Sequence, residues 1–359
     1  MKKSIIQVSI LIMFFTFFLA SLAPNTVERA WAAQTQKKIV WKTQLIFGSG
    51  TVFADYYRMW VKRVNEMTGG RLVLEPHYAG EIVGAFEQFD AVKNGVLDAG
   101  YSWTGYWFGK FPAGIFFAGV PGGLRVKDYY TWLFEHGGLA LWEEIYGKFN
   151  IKPMPIATYA NEIFCWSNKP LNTLDDFKGL KIRQSGIWVE GLKMLGASPV
   201  TMAGPEVVPA MERGVIDAAE FSTVAQDFSM GLPQVAKYVH FPSVHQPGTY
   251  MELLINKNSW KALPDDLKRL LEASIREALF DTWIKAENDA AKALIKVKEA
   301  GVNVVKLSPE IQKKVLELSG ILLKKYSEKD PMFGKVYKSQ TDYRNFIKEY
   351  KGLMRIEGE

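Results

Sequence analysis

From Pro264 to Ala300 the chain runs without a glycine and without a second proline. Leu267, Leu270, Leu271, Ile275, Leu279, Trp283 and Ile284 recur along it at helical spacing. About 36 residues at ~1.5 Å each make a helix of roughly 54 Å, longer than one small lobe is wide. The chain has 359 residues, enough for two lobes and a sizeable core. The expectation is a helix that runs along both lobes and braces them.

A repeated phrase bears on the same point. Residues 91–102 read AVKNGVLDAGYS and residues 210–222 read AMERGVIDAAEFS. In each copy a helix ends at a charged turn, Lys93-Asn94 or Glu212-Arg213. Gly95 or Gly214 then supplies the left-handed position that stops a helix without steric cost. The β-branched Val96 or Val215 starts a strand, and the chain emerges after Asp-Ala at that strand's C-terminal end. Ligands bind at that end in open α/β sheets. One copy delivers Tyr101, Ser102 and Trp103, the other Glu220, Phe221 and Ser222. Such punctuation is common in α/β proteins, so the repeat alone does not establish two lobes.

The remaining elements alternate. IVWKTQLIF (39–47) reads as a first strand, FADYYRMWVKRVNEMTGG as a helix ending in Gly-Gly, and RLVLEPHY as a second strand. AGEIVGAFEQFDAVKNG is a loop and helix, and VLDAGYSW a third strand. This order predicts an α/β fold of mainly parallel sheets with helices on both faces. TYANEIFCWSNKP (158–170) reads as a strand into a turn, LKIR as a strand, and YVHFPSVHQPGTYMELLINKNSW as an extended crossing back. After Gly301 come one strand, VNVVKL, and charged amphipathic helices that cap the body or pack on a second subunit.

Composition narrows the function. MKK, an uncharged apolar run over 4–23 and the small-residue pattern Ala30-Trp31-Ala32 read as a signal peptide cleaved after Ala32, or else as a retained N-terminal anchor. Both place the body outside the cytoplasm, in the periplasm or its equivalent. The formal charge is +6, and loss of Lys2, Lys3, Arg29 and Glu28 with the leader leaves +4. That is mildly basic, and no basic-aromatic or zinc-knuckle pattern points to nucleic acid. The single Cys165 excludes a disulfide framework and sits in the apolar stretch IFCW, as a core thiol does. No G-x-S-x-G, H-E-x-x-H or credible Cys-His pair occurs, so an enzyme is the remote alternative.

The phrases AGEIVGAFEQFDAVKNGVLDAGYSWTGYW, LNTLDDFKGLKIRQSG, AMERGVIDAAEF and YMELLINKNSWKALPDDLKRLLE resemble the DctP-type solute-binding proteins of tripartite ATP-independent periplasmic (TRAP) transporters. The likeness covers the whole mature chain and is nearest the branch that binds 2-oxo acids and other small carboxylates with a metal ion. It implies a two-lobed periplasmic-binding-protein-like fold braced by one long helix. The implied segments are lobe I over 33–157, lobe II over 158–243, crossing strands and the long helix over 244–300, and a terminal strand and helices over 301–359. It also implies an extracytoplasmic receptor that passes a small 2-oxo or 2-hydroxy monocarboxylate to membrane permease subunits. A receptor for another carboxylate without metal, or a subunit of another transporter or sensor, is the alternative.

Site residues follow from the resemblance. The arginine ending GLKIR, Arg183, holds the ligand carboxylate, a task its planar, always charged guanidinium suits. Glu220 supports a cation, with Phe221 where the branch carries Trp and a main-chain carbonyl at that position still able to ligate. Glu162 stands where the branch has Gln, with Asn161 adjacent. A second carboxylate favours Ca²⁺ over Na⁺; alternatively Glu162 pairs with Arg183 and no metal binds. No organic cofactor is implied. Tyr101, Trp103, Tyr106 and Trp107 would wall the ligand, and His245 and Gln246 would read its distal part. Some members of the branch dimerise by exchanging C-terminal helices, and this tail is long enough to do so.

Overall fold

The computed structural model describes residues 38–354; the leader and its cleavage point lie outside the described residues. Two mixed α/β sheets form the frame. The first has strand order β2-β1-β3-β10-β4, from β1 (Ile39–Leu45), β2 (Leu72–His77), β3 (Ala99–Ser102), β4 (Ile151–Tyr159) and β10 (Thr249–Asn256). The second has order β11-β9-β5-β8-β6-β7, from β5 (Cys165–Ser167), β6 (Lys181–Arg183), β7 (Ser198–Val200), β8 (Ala218–Ala219), β9 (Tyr238–Phe241) and β11 (Asn303–Lys306). The chain thus crosses between sheets at 160–164 and again at 242–248, and the terminal strand joins the second sheet.

Both copies of the repeated phrase fold alike. Gly95 and Gly214 take φ of 78° and 67°. The amides of Gly95 and Val96 return to the carbonyls of Val92 and Ala91, and those of Gly214 and Val215 to Met211 and Ala210. These are the paired bonds of a Schellman helix stop. Asp98 and Asp217 then do the same work in each lobe. Each accepts from an amide of the neighbouring strand, Lys42 in the middle of β1 (2.8 Å) or Lys181 at the start of β6 (3.1 Å). One detail differs from expectation: Val96 and Val215 are exposed in the turn, and the strands begin three residues later, at Ala99 and Ala218.

The long helix spans Asp265–Glu299, 35 residues or about 52 Å. Its first half packs on lobe I: Trp60 Nε1 donates to Ser274 Oγ (3.2 Å) and the Thr158 amide to Thr282 Oγ1 (3.1 Å). Further along, Lys296 lies over the ring of Phe228, in lobe II. Leu267, Leu271 and Ile275 are buried as their spacing suggests, but farther along the buried face is not the one the large side chains mark. Trp283 and Ile284 are exposed, and Ala278, Thr282, Ala286, Ala293 and Val297 face inward. Small residues let the helix axis approach both lobes closely. The helices Pro309–Lys329 and Pro331–Leu353 cover the body beyond it, burying Leu318, Leu322, Phe333 and Val336.

Candidate functional site

The parallel strands of both sheets end at one cleft. β1 and β3 run parallel and hand over to Phe47 and Trp103. β6 and β8 run parallel with Arg183 opposite Ala219, so Glu220 and Phe221 emerge beside the arginine. Phe47, Trp103, Tyr106, Glu162, Arg183, Glu220, Phe221, Ser222, Thr249 and Met251 line a cavity whose enclosed space is about 20 Å³. That is close to one water-sized sphere, so the lobes are closed. Phe47 meets Phe221 edge-on at 5.8 Å across the cleft. The Phe53 and Val52 amides, at the start of the first lobe's helix Val52–Met67, donate to Gln226 Oε1 (3.1 Å, buried) and Ser229 Oγ (3.2 Å, exposed) of the second lobe.

Arg183 is 2% exposed. Its Nη1 donates to the Glu220 carbonyl (2.6 Å) and stands 3.5 Å from Glu220 Oε2, and its Nε donates to the Met202 carbonyl (3.3 Å). The guanidinium lies 4.8 Å over the Phe221 ring, a cation–π contact. Glu162 comes from the first crossing segment. Its Oε1 accepts from Gln246 Nε2 (2.9 Å) and Thr249 Oγ1 (2.8 Å), both on the second crossing or the strand it enters. Its Oε2 is buried with no hydrogen-bond partner among the described residues.

Three groups converge. One ligand atom each from Glu162, Glu220 and His245 lies within 4.8 Å of the others, all buried. Burial, and then the neighbouring Glu220 charge, push the Glu162 carboxyl well above the usual carboxylate range. Burial opposes the Glu220 charge too, yet His245 and Arg183 outweigh it and hold that carboxyl below its usual range. A buried carboxylate oxygen without a donor is costly. Two carboxylates and an imidazole sharing one small space therefore fit a cation.

The predicted residues divide. Arg183, Glu162, Glu220, Phe221, Trp103 and Tyr106 line one cavity, and His245 stands behind Glu220. Tyr101 does not join them. It is 1% exposed, its hydroxyl pairs with that of Tyr159 (2.7 Å), and its ring packs on Tyr57 within lobe I. Strand alternation explains this, since Tyr101 points to the helix-covered face of its sheet. Asn161 is exposed, because its neighbour Glu162 takes the inward position. Trp107 is a core residue that donates to Glu252 (2.7 Å). Phe47, Thr249 and Met251 also line the cavity. Phe47 follows β1 as Trp103 follows β3, so the rule about strand ends could have found it; Thr249 and Met251 carry no local signal.

The comparisons with known proteins follow the same geometry. Residues 46–330 match the family described as bacterial extracellular solute-binding protein, family 7, or DctP. The chain belongs to the DctP family. Over 286 residues it is 32% identical to the monocarboxylate 2-oxoacid-binding periplasmic protein all3028 of Nostoc sp., covering 80% of this chain and 79% of that protein. It is similar to a TRAP periplasmic solute binding protein from Colwellia psychrerythraea, solved with calcium and pyruvate: TM-score 0.83, 30% identity, 88% of this chain and 97% of that one. A counterpart from Pseudoalteromonas atlantica, with sodium and pyruvate, gives TM-score 0.83 at 28% identity over 88% and 97%. The DctP chain is thus a solute-binding receptor and not an enzyme, with the two-lobed fold of these receptors. Among the described residues no helix is long and apolar enough to cross a membrane.

Proposed function

We propose that this DctP protein is the receptor of a TRAP transporter for a small 2-oxo or 2-hydroxy monocarboxylate, captured with a cation in the interlobe cleft and passed to membrane permease subunits. The observation that carries the reading is a buried arginine beside two buried carboxylates, one of which has an oxygen without a donor. Arg183 takes the acid's carboxylate bidentately. Glu162, Glu220 and the main chain at Phe221 hold the cation, which faces the acid's keto or hydroxyl oxygen. Trp103, Tyr106 and Phe221 wall the ligand, and their rings leave little room, which favours a short acid over a bulky one. The relatives solved with pyruvate and an ion support the same choice. The last helix leaves Phe346, Tyr350 and Leu353 exposed, an apolar edge consistent with pairing of two copies; light scattering decides that part.

The test is a thermal-shift series with pyruvate, lactate, dicarboxylates, aromatic acids and neutral sugars, each with and without chelator. A ligand bound only by the folded state stabilises it by RT ln(1 + [L]/Kd), about 2.7 kcal/mol at a hundred times Kd. Pyruvate or lactate should raise Tm by several degrees, and the rise should vanish in Arg183→Ala and shrink in chelator. A rise with a neutral sugar alone would overturn the substrate class. A rise indifferent to chelator would remove the cation.

A further inference from the structure

We infer that the cation site of this chain prefers a borderline first-row divalent ion, of the Zn²⁺, Co²⁺ and Ni²⁺ kind, over Ca²⁺ and Na⁺, and that His245 is the ligand that decides it. The inference rests on the cation-assisted reading above and specifies its ion.

The imidazole is prepared for ligation. Ser243 Oγ lies 3.5 Å from His245 Nδ1 and donates its own hydrogen to the Gln246 carbonyl (2.9 Å). Its lone pairs can therefore accept a proton from Nδ1, which frees the Nε2 lone pair for an ion; without an ion the same nitrogen can hold a proton toward Glu220. Nε2 is buried and has no hydrogen-bond partner among the described residues. A ligating histidine commonly has its second nitrogen fixed in this way. The ring is also clamped, edge-on to Phe164 at 5.3 Å and stacked on Trp188 at 6.2 Å.

The distances suit an ion better than a direct bond. Nε2 stands 3.7 Å from Glu220 Oε1, too far for a hydrogen bond. Two ligands each about 2.1 Å from a tetrahedral ion stand roughly 3.4 Å apart. Glu162 is oriented likewise: Gln246 and Thr249 hold Oε1, which leaves Oε2 toward the shared centre. Two carboxylates balance a double charge, so Arg183 stays available to the acid. With the main chain at Phe221 these side chains make four protein ligands, and an ion that expands its coordination keeps a position for the acid's oxygen.

Ligand chemistry then sets the preference. Calcium takes oxygen donors. Imidazole nitrogen suits zinc, copper, iron and nickel, and affinity for a given nitrogen-containing site rises from manganese to copper and falls back at zinc. The relatives solved with calcium or sodium are the contrast against which His245 is read.

The test uses the purified, metal-stripped protein and no organic acid. Co²⁺, Zn²⁺, Ca²⁺ and Na⁺ are titrated separately by calorimetry. Co²⁺ and Zn²⁺ should bind at least roughly tenfold more tightly than Ca²⁺, and His245→Gln should weaken them about 10- to 100-fold, the range of altered metal shells, while sparing Ca²⁺. Should that variant fail to fold, the Co²⁺-loaded wild type still reports: a paramagnetically shifted, exchangeable imidazole proton in its NMR spectrum marks His245 as a ligand. Tighter binding of Ca²⁺ than of Co²⁺, no ion binding, or no shifted proton would overturn the inference. The thermal shift with pyruvate separates the two readings. Co²⁺ binding without any acid response would sink the carboxylate receptor alone. An acid response with Ca²⁺ preferred would sink only the role given to His245.

Discussion

At Glu252 burial and hydrogen bonding pull one carboxyl in opposite directions. It is fully buried on β10, where Trp107 Nε1 and Tyr146 Oη each donate to it at 2.7 Å. Burial wins and pushes its pKa up to about 7 from 4.5. The folded state therefore holds a proton that the unfolded state has released, and stability falls as pH rises from roughly 4.5 to 7. His240 has the opposite slope. Burial lowers its pKa from 6.5 to about 4, its Nε2 accepts from the Leu171 amide (3.0 Å), and its contribution is lost as pH falls through that window. Each is worth about 3 kcal/mol at most, so over the shared interval they largely cancel. Glu252→Gln should remove its share of the fall: in urea denaturation from pH 4 to 8 the stability difference, variant minus wild type, should grow between about 4.5 and 7 and then level off. An unchanged profile would mean that Glu252 is ionised in the fold. Residue identity made some of this site legible. Arg183 could be read only through the family resemblance, since an arginine at a strand end is by itself most often a surface residue. Gln246 and Thr249 reach Glu162 only because two crossing segments meet, a juxtaposition no local pattern encodes.

Among the elements, the repeated helix stop was the most legible. Its hydrogen bonds are local, so each copy of the phrase is enough to specify them. Gly214 has φ of 67° and nothing within 4 Å of where a Cβ would stand. Gly214→Ala should therefore cost only backbone strain, about 1–2 kcal/mol, and leave ligand affinity unchanged in calorimetry. A loss of affinity would show that the stop positions Glu220 as well as ending a helix. β4 was partly hidden by Pro153 and Pro155, which read as strand breakers. It forms at the edge of the first sheet, where missing amides are tolerated. The long helix was legible in extent but not in facing: the strongest apolar residues in its second half point outward. Tertiary approach selected alanine and threonine there, and periodicity of large side chains cannot report that choice.

For the whole molecule, the contact between Phe53 and Gln226 sets how readily the lobes part. Gln226 accepts the Phe53 amide across the cleft. Gln226→Ala should lower ligand affinity about fivefold, near 1 kcal/mol for one hydrogen bond, and raise the radius of gyration of the ligand-free protein in X-ray scattering. An unchanged radius and affinity would mean that closure does not depend on this bond. The other end of the motion is different. Glu162 lies on one crossing segment and is held by residues of the other, so it sits almost on the pivot, while the exposed contact of Val52 with Ser229 lies farther out. Points near a pivot sweep short arcs. The open receptor would then present Glu162 nearly in its final place, and encounter would come before the swing. Observed association rates should climb with acid concentration and level off at a ceiling set by the closing of the lobes, whichever acid is used.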